Sequence, residues 1–139
     1  PRSTQPNTLF PYTTLFRSHG MLSRHPGVRL GTIECGSVWI GRVVQDLTDG
    51  YGKMPHLFDE DPVETLRRAL YVAPFWEDDL EPLIDAIGLD HVLFNSDWPH
   101  PEGLADPVEY AVYARDEVGL DDDDVARIMG ANMFELMGV

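Results

Sequence analysis

The sequence predicts an alternating α/β protein built on a parallel sheet. Three observations carry this reading. Short apolar runs alternate with segments of helical period in the order β-α-β-α-β-α-α. The clearest run, His91 to Asn95, holds Val92, Leu93 and Phe94 in succession, the pattern of a strand buried on both faces. Proline, glycine and acidic residues stand where helices of such units begin and end.

Taken in order, residues 1–18 stand apart. They carry Arg2 and Arg17 but no acid, whereas all 24 acids, and the 8 bases left from 10, follow. Thr8 to Phe16 has neither helical nor alternating periodicity, and the segment resembles translated adapter or vector sequence. Residues 1–18 are therefore expected to be a non-native leader, and 19–139 a partial domain. From Gly20, Val28 to Ile33 reads as a short strand. Val38, Trp39, Ile40, Val43, Val44 and Leu47 are spaced three and four apart, which predicts an amphipathic helix over 38–47. The stretch Gly50 to Phe58, with Gly52 and Pro55, reads as a loop.

Pro62 and Glu64 open a short helix through Arg68, and Ala69 to Ala73 is the next strand, closed by Pro74. A helix from Glu77 to Ile87 follows, with Glu77, Asp78, Asp79 and Glu81 in its first turns, where the helix dipole favours acids, and Gly88 as its stop. After the strand at 91–95, Asp106-Pro107 starts a helix through about Val118, and Asp121 to Asp124 precede a last helix over 122–137. The aspartate run lacks the alternating acids, central glycine and terminal glutamate of a calcium loop, and reads as a helix N-terminus. Right-handed crossovers would make the sheet parallel, but three strands cannot close a barrel.

The chain's 139 residues and 43% hydrophobic content suffice for one domain with a core. A formal charge of −14 repels phosphate backbones and anionic membrane faces, which argues against nucleic-acid and membrane partners. Cys35 is the only cysteine, which rules out an internal disulfide and a Cys-rich zinc cage and fits a reducing, cytoplasmic compartment.

Asp97 lies just past the last apolar position of its strand, at the carboxyl end, where α/β folds place ligands. A carboxylate there can bind a divalent metal, take a proton from metal-bound water, or simply cap the turn. His100 can reach the same rim through the Trp98-Pro99 turn, either to serve catalysis or as an ordinary loop hydrogen bonder. Trp98 could wall a substrate pocket, and Arg24 could meet a substrate carboxylate or form a surface ion pair. Trp39, Trp76 and Trp98 are too scattered for a base-stacking platform.

The run His91-Val92-Leu93-Phe94-Asn95-Ser96-Asp97-Trp98-Pro99-His100 resembles the end of the eighth strand in the amidohydrolase-related family, the type that includes aminocarboxymuconate-semialdehyde decarboxylase. His25 to Trp39 is similar to that family's proline-led sixth strand and following helix, and Val125 to Leu136 to its closing helix with a Gly-x-Asn step. The resemblance covers about residues 20–139. It implies the C-terminal part, about strands six to eight, of a metal-dependent (β/α)8 TIM barrel. Asp97 then corresponds to the metal-ligating and acid/base aspartate, the cofactor to a divalent metal ion with zinc preferred, and the substrate to a small molecule. Homo-oligomerisation of the full-length protein is left open.

Two departures qualify the match. Decarboxylase members tend to have a histidine at the end of the sixth strand, where this chain has Glu34-Cys35; Glu34 could still face the site as a hydrogen bonder. The family's first-strand His-x-His or Glu-x-His pair and fifth-strand histidine would lie upstream of residue 19, and His19, His25, His56 and His91 do not replace them. The expected reading is thus a fragment of a hydrolase or nonoxidative decarboxylase, inactive alone and weak in metal binding. The alternative is a small α/β binding or interaction module without catalysis, which three self-sufficient strands would require.

Overall fold

A computed structural model describes residues 20–101 and 103–139. The 1–18 leader expectation lies outside those residues. The elements are α1 (Met21–Arg24), β1 (Leu30–Thr32), α2 (Ile40–Lys53), a 3-10 turn (Pro55–Leu57), α3 (Pro62–Ala69), β2 (Leu70–Val72), α4 (Leu80–Ile87), a 3-10 turn (Leu89–His91), α5 (Glu109–Asp116), α6 (Asp122–Ala126), a π turn (Arg127–Ala131) and α7 (Asn132–Met137).

The strands pair in parallel, as the alternation predicts, with Leu30 beside Leu70, Gly31 beside Tyr71 and Thr32 beside Val72. A third segment joins at one bridge, Val72 to Val92, where the Leu93 N–H donates to the Val72 carbonyl at 2.8 Å. Residues 91–95 were expected as a full strand, and here the structure differs. Leu89–His91 is a 3-10 turn, and beyond Leu93 the pairing is diverted: Phe94 N–H donates to the Ile128 carbonyl at 3.1 Å. The closing helix thus takes a group that a sheet neighbour would otherwise pair.

The period of two divides the sheet into two faces. Leu70, Val72 and Val92 pack on one face with Ile40, Val43, Leu47, Leu66, Leu80, Leu83, Ile87 and Ile128 from the helices. Tyr71, Ala73 and Leu93 form the other face, covered by Met133 and Leu136 of α7. Gly31 permits this cover, because a Cβ there would lie 2.9 Å from Leu136 Cδ2. Asn132, fully buried, anchors α7 by donating from Nδ2 to the carbonyls of Leu89 (2.8 Å) and Val92 (2.7 Å). His91 Nδ1 lies 2.9 Å from the Leu70 carbonyl, so this histidine has a structural role.

Helix ends follow local chemistry with informative exceptions. Asp61 caps α3, its Oδ1 accepting from Val63 N–H at 2.8 Å, with Pro62 in the first turn; the helix runs eight residues and ends at Ala69, one past its expected end at Arg68. Asp121 caps α6 through Asp124 N–H at 2.9 Å, as the aspartate run suggested. By contrast α2 continues through Gly50 and Gly52 to Lys53, into a stretch expected to be loop. Gly50 is buried and the Tyr51 and Phe58 rings meet edge to face at 5.7 Å, so packing overrides weak glycine propensity. The short α1 has no counterpart in the sequence reading, and α5 is shorter at both ends than expected. Helix α4 starts at Leu80 rather than Glu77, because the segment before it forms a loop in which Asp78 turns toward the residues after β1.

The Arg68 guanidinium grips Glu60 with both nitrogens, at 2.7 and 3.1 Å, and holds its carboxyl at about 2. Since the folded value lies below the ordinary 4.5, this pair's contribution is fully present above pH 4.5 and is lost as pH falls toward 2. Because the pair is more than a third exposed, the gain is at most about 1 kcal/mol. Glu60→Gln should therefore lower stability modestly at pH 7 and match the parent at pH 2 in urea titrations. An equal deficit at both pH values would refute the assignment.

Candidate active site

Two strand-end turns build the site. Glu34 follows β1 by two residues at φ 57°, and Asp97 follows the Val92 segment at φ 54°. Both are non-glycine residues in the left-handed region, which costs on the order of 1–3 kcal/mol each and persists only where surroundings enforce it.

The Asp97 turn is enforced by its own loop. Asp97 N–H donates to Asn95 Oδ1 (3.3 Å), Trp98 N–H to Ser96 Oγ (3.3 Å), His100 N–H to the Asp97 carbonyl (2.9 Å) and Leu104 N–H to the Ser96 carbonyl (3.0 Å). The Trp98-Pro99 peptide is cis. Gly103 closes the loop so tightly that a Cβ would sit 2.7 Å from the carbonyl oxygens of both Ser96 and Asp97.

The Glu34 turn is enforced from outside. Gly36, at φ 59°, leaves room for Phe75, whose ring would lie 2.8 Å from any Cβ there. Asp78 Oδ2 accepts from Ser37 N–H (2.6 Å), Ser37 Oγ (3.0 Å) and Phe75 N–H (3.2 Å). Trp39 Nε1 donates to the Gly36 carbonyl at 2.9 Å.

These turns bring together Glu34, Asp97 and His100, one donor atom of each lying within 4.8 Å of the others. Two carboxylates and an imidazole are donor types that a divalent cation accepts, so the three could hold a metal ion. The three residues border an open cavity of about 500 Å³ whose other walls are Asn95 and the loop Pro74 to Asp78 after β2. The lining thus carries four carboxylates, Glu34, Glu77, Asp78 and Asp97, against one imidazole.

Among the residues singled out from sequence, Asp97, His100 and Glu34 meet, although the latter two were expected as catalytic and substrate-pocket groups rather than as companions in a ligand set. Trp98 is 70% exposed and does not line the cavity, and Arg24 sits in α1, ahead of β1, also outside the lining. The aromatic wall is instead Phe75 and Trp76, which sequence reasoning missed. Their signal was positional: they follow β2 directly, as Asp97 follows its own segment.

Comparisons with known proteins agree on one group. The amidohydrolase family model matches residues 4–135. An amidohydrolase from Mycobacterium avium subsp. paratuberculosis K-10 is similar at 40% identity and a TM-score of 0.83, over 91% of this chain and 32% of that one. The 5-carboxyvanillate decarboxylase of Sphingomonas paucimobilis shares the fold, with a TM-score of 0.71 at 18% identity, over 92% of this chain and 38% of the decarboxylase. The chain thus spans about a third of the length of these structures. No curated protein matches it. Among the described residues, no helix is long and apolar enough to cross a membrane.

Proposed function

This chain belongs to the amidohydrolase family, and we propose that it is part of a metal-dependent hydrolase or nonoxidative decarboxylase acting on a small organic substrate in the cytoplasm. In this reading β1, β2 and the Val92 segment are about the sixth to eighth strands of a (β/α)8 barrel, a fold of about 250 residues. The observation that carries the proposal is the meeting of Glu34, Asp97 and His100 at the carboxyl ends of parallel strands, where barrel enzymes place their chemistry.

Asp97, Glu34 and His100 would hold the ion, zinc in this proposal. When bound, such an ion supplies Lewis-acid polarisation and a more acidic water. In the hydrolytic case the Asp97 carboxylate would take a proton from the attacking water and return it to the leaving group. His100, on the exposed side, orients what enters. Phe75 and Trp76, both partly exposed, give one flank of the cavity an apolar surface. The lining offers carboxylates and one imidazole as polar groups that would meet a substrate.

Zinc titration of the full chain by calorimetry tests the ligand set. One ion per chain is expected, with affinity falling about tenfold or more in Glu34→Gln. Equal affinity in parent and variant would remove Glu34 from the site.

A further inference from the structure

Asp78 occupies a position that sequence alone assigns to a helix start, yet it caps nothing in α4. The N-cap of that helix is Asp79, which makes no side-chain capping bond. Asp78 instead reaches across to the loop after β1. One of its oxygens, Oδ2, gathers both the backbone and the hydroxyl of Ser37, at 2.6 and 3.0 Å, as well as the backbone N–H of Phe75 at 3.2 Å. Ser37 is 7% exposed, so its N–H has little access to water as a substitute partner. The two loops are in direct contact beneath this junction, where the Gly36 position abuts the Phe75 ring.

Glu34 lies three residues before Ser37 and holds a left-handed backbone conformation that its side chain does not favour. Its own segment supplies the Trp39 Nε1 bond to the Gly36 carbonyl, and the Asp78 carboxylate adds three bonds from outside it. We propose that Asp78 is a positioning residue: by tying Ser37 to Phe75 it holds the Glu34 turn against the Asp97 turn and so sets the spacing of the carboxylates that take the cation. This rests on the metal-site reading above. Asp78 acts through its acceptor geometry rather than through its charge, and this separates positioning from direct ligation, because asparagine keeps a carbonyl oxygen at the same place and discards the charge.

The test is cobalt(II) titration of the full chain, followed by its visible absorption, alongside amide hydrogen exchange at Ser37 and Phe75. Asp78→Ala is expected to weaken cobalt binding about tenfold, the usual range for a group that orients a metal ligand, and to expose both amides to exchange. Asp78→Asn should keep affinity within about threefold of the parent and keep the amides protected. Equal weakening in Asp78→Asn and Asp78→Ala would mean that charge or ligation is at work and would overturn the proposal. So would unchanged affinity in Asp78→Ala with the amides exposed, and that outcome would leave the metal site standing. A parent chain that binds no cobalt would instead bring down the metal-site reading and this inference with it. Should Asp78→Ala not fold, Ser37→Ala, which removes only the 3.0 Å bond, is expected to weaken binding two- to threefold, and unchanged affinity there overturns the proposal.

Discussion

On the proposed reading, Asp97→Asn in a full-length enzyme is expected to lower kcat about a thousandfold, within the range for loss of an acid/base group, while leaving the fold intact. The separation of the two effects follows from geometry. Every hydrogen bond that shapes the turn at this residue uses its backbone: the Asp97 N–H donates to Asn95, and the Asp97 carbonyl accepts from His100. Asparagine also tolerates the left-handed φ of 54° as well as aspartate does. What disappears is the negative charge and the basic oxygen. Turnover and bound zinc should be measured on the same preparation, together with a thermal melt. A metal-loaded variant that turns over substrate at the parent rate would remove Asp97 from the mechanism.

Asn132→Ala should carry the largest stability loss, about 1–3 kcal/mol, because the Val92 carbonyl would lose its Asn132 donor at a fully buried position, while the Leu89 carbonyl would keep only the Val92 N–H. Leu89 and Val92 frame the turn into the third sheet segment, so the loss would loosen that segment's entry to the sheet and the seat of α7 together. Urea denaturation of parent and variant measures it. A difference below about 1 kcal/mol, the worth of one ordinary hydrogen bond, would show that the two carbonyls find other partners.

The parts of this molecule legible in sequence are those governed by neighbours along the chain. Asp121 announces its cap and Pro62 its helix start, Pro74 closes β2, and Asp97 stands at a strand end with proline two residues beyond. The family resemblance, read from His91 to His100 and supported by His25 to Trp39 and Val125 to Leu136, is the one the comparisons show. Features set by contacts between distant segments were not legible. The continuation of α2 through two glycines depends on burial of Gly50 and on Phe58 folding back on Tyr51. Asp78 reads as a first-turn acid until the loop after β1 is seen beside it. The third strand looks complete in sequence because Val92 to Phe94 is apolar throughout, and only the Ile128 carbonyl explains why its pairing stops. His100 was legible as a neighbour of Asp97 through the Trp98-Pro99 turn, whereas the closeness of Glu34 belongs to the same class, since no spacing rule joins a residue after the first strand to two after the third segment.

The π turn at Arg127–Ala131 has a further consequence. Ahead of it and within it, Val125 and Ile128 face the helix side of the sheet, while past it Met133 and Leu136 cover the opposite face. A wider turn takes up about one extra residue, and each residue rotates a helix by about 100°. The turn therefore works as a phase adjuster that lets a single rod thread around the end of the sheet and close both sides. A gain or loss of one residue here could not be absorbed as it is in a surface loop. It would swing Met133 and Leu136 away from Tyr71 and Leu93, and chain length at this point is as tightly constrained as any side chain in the core.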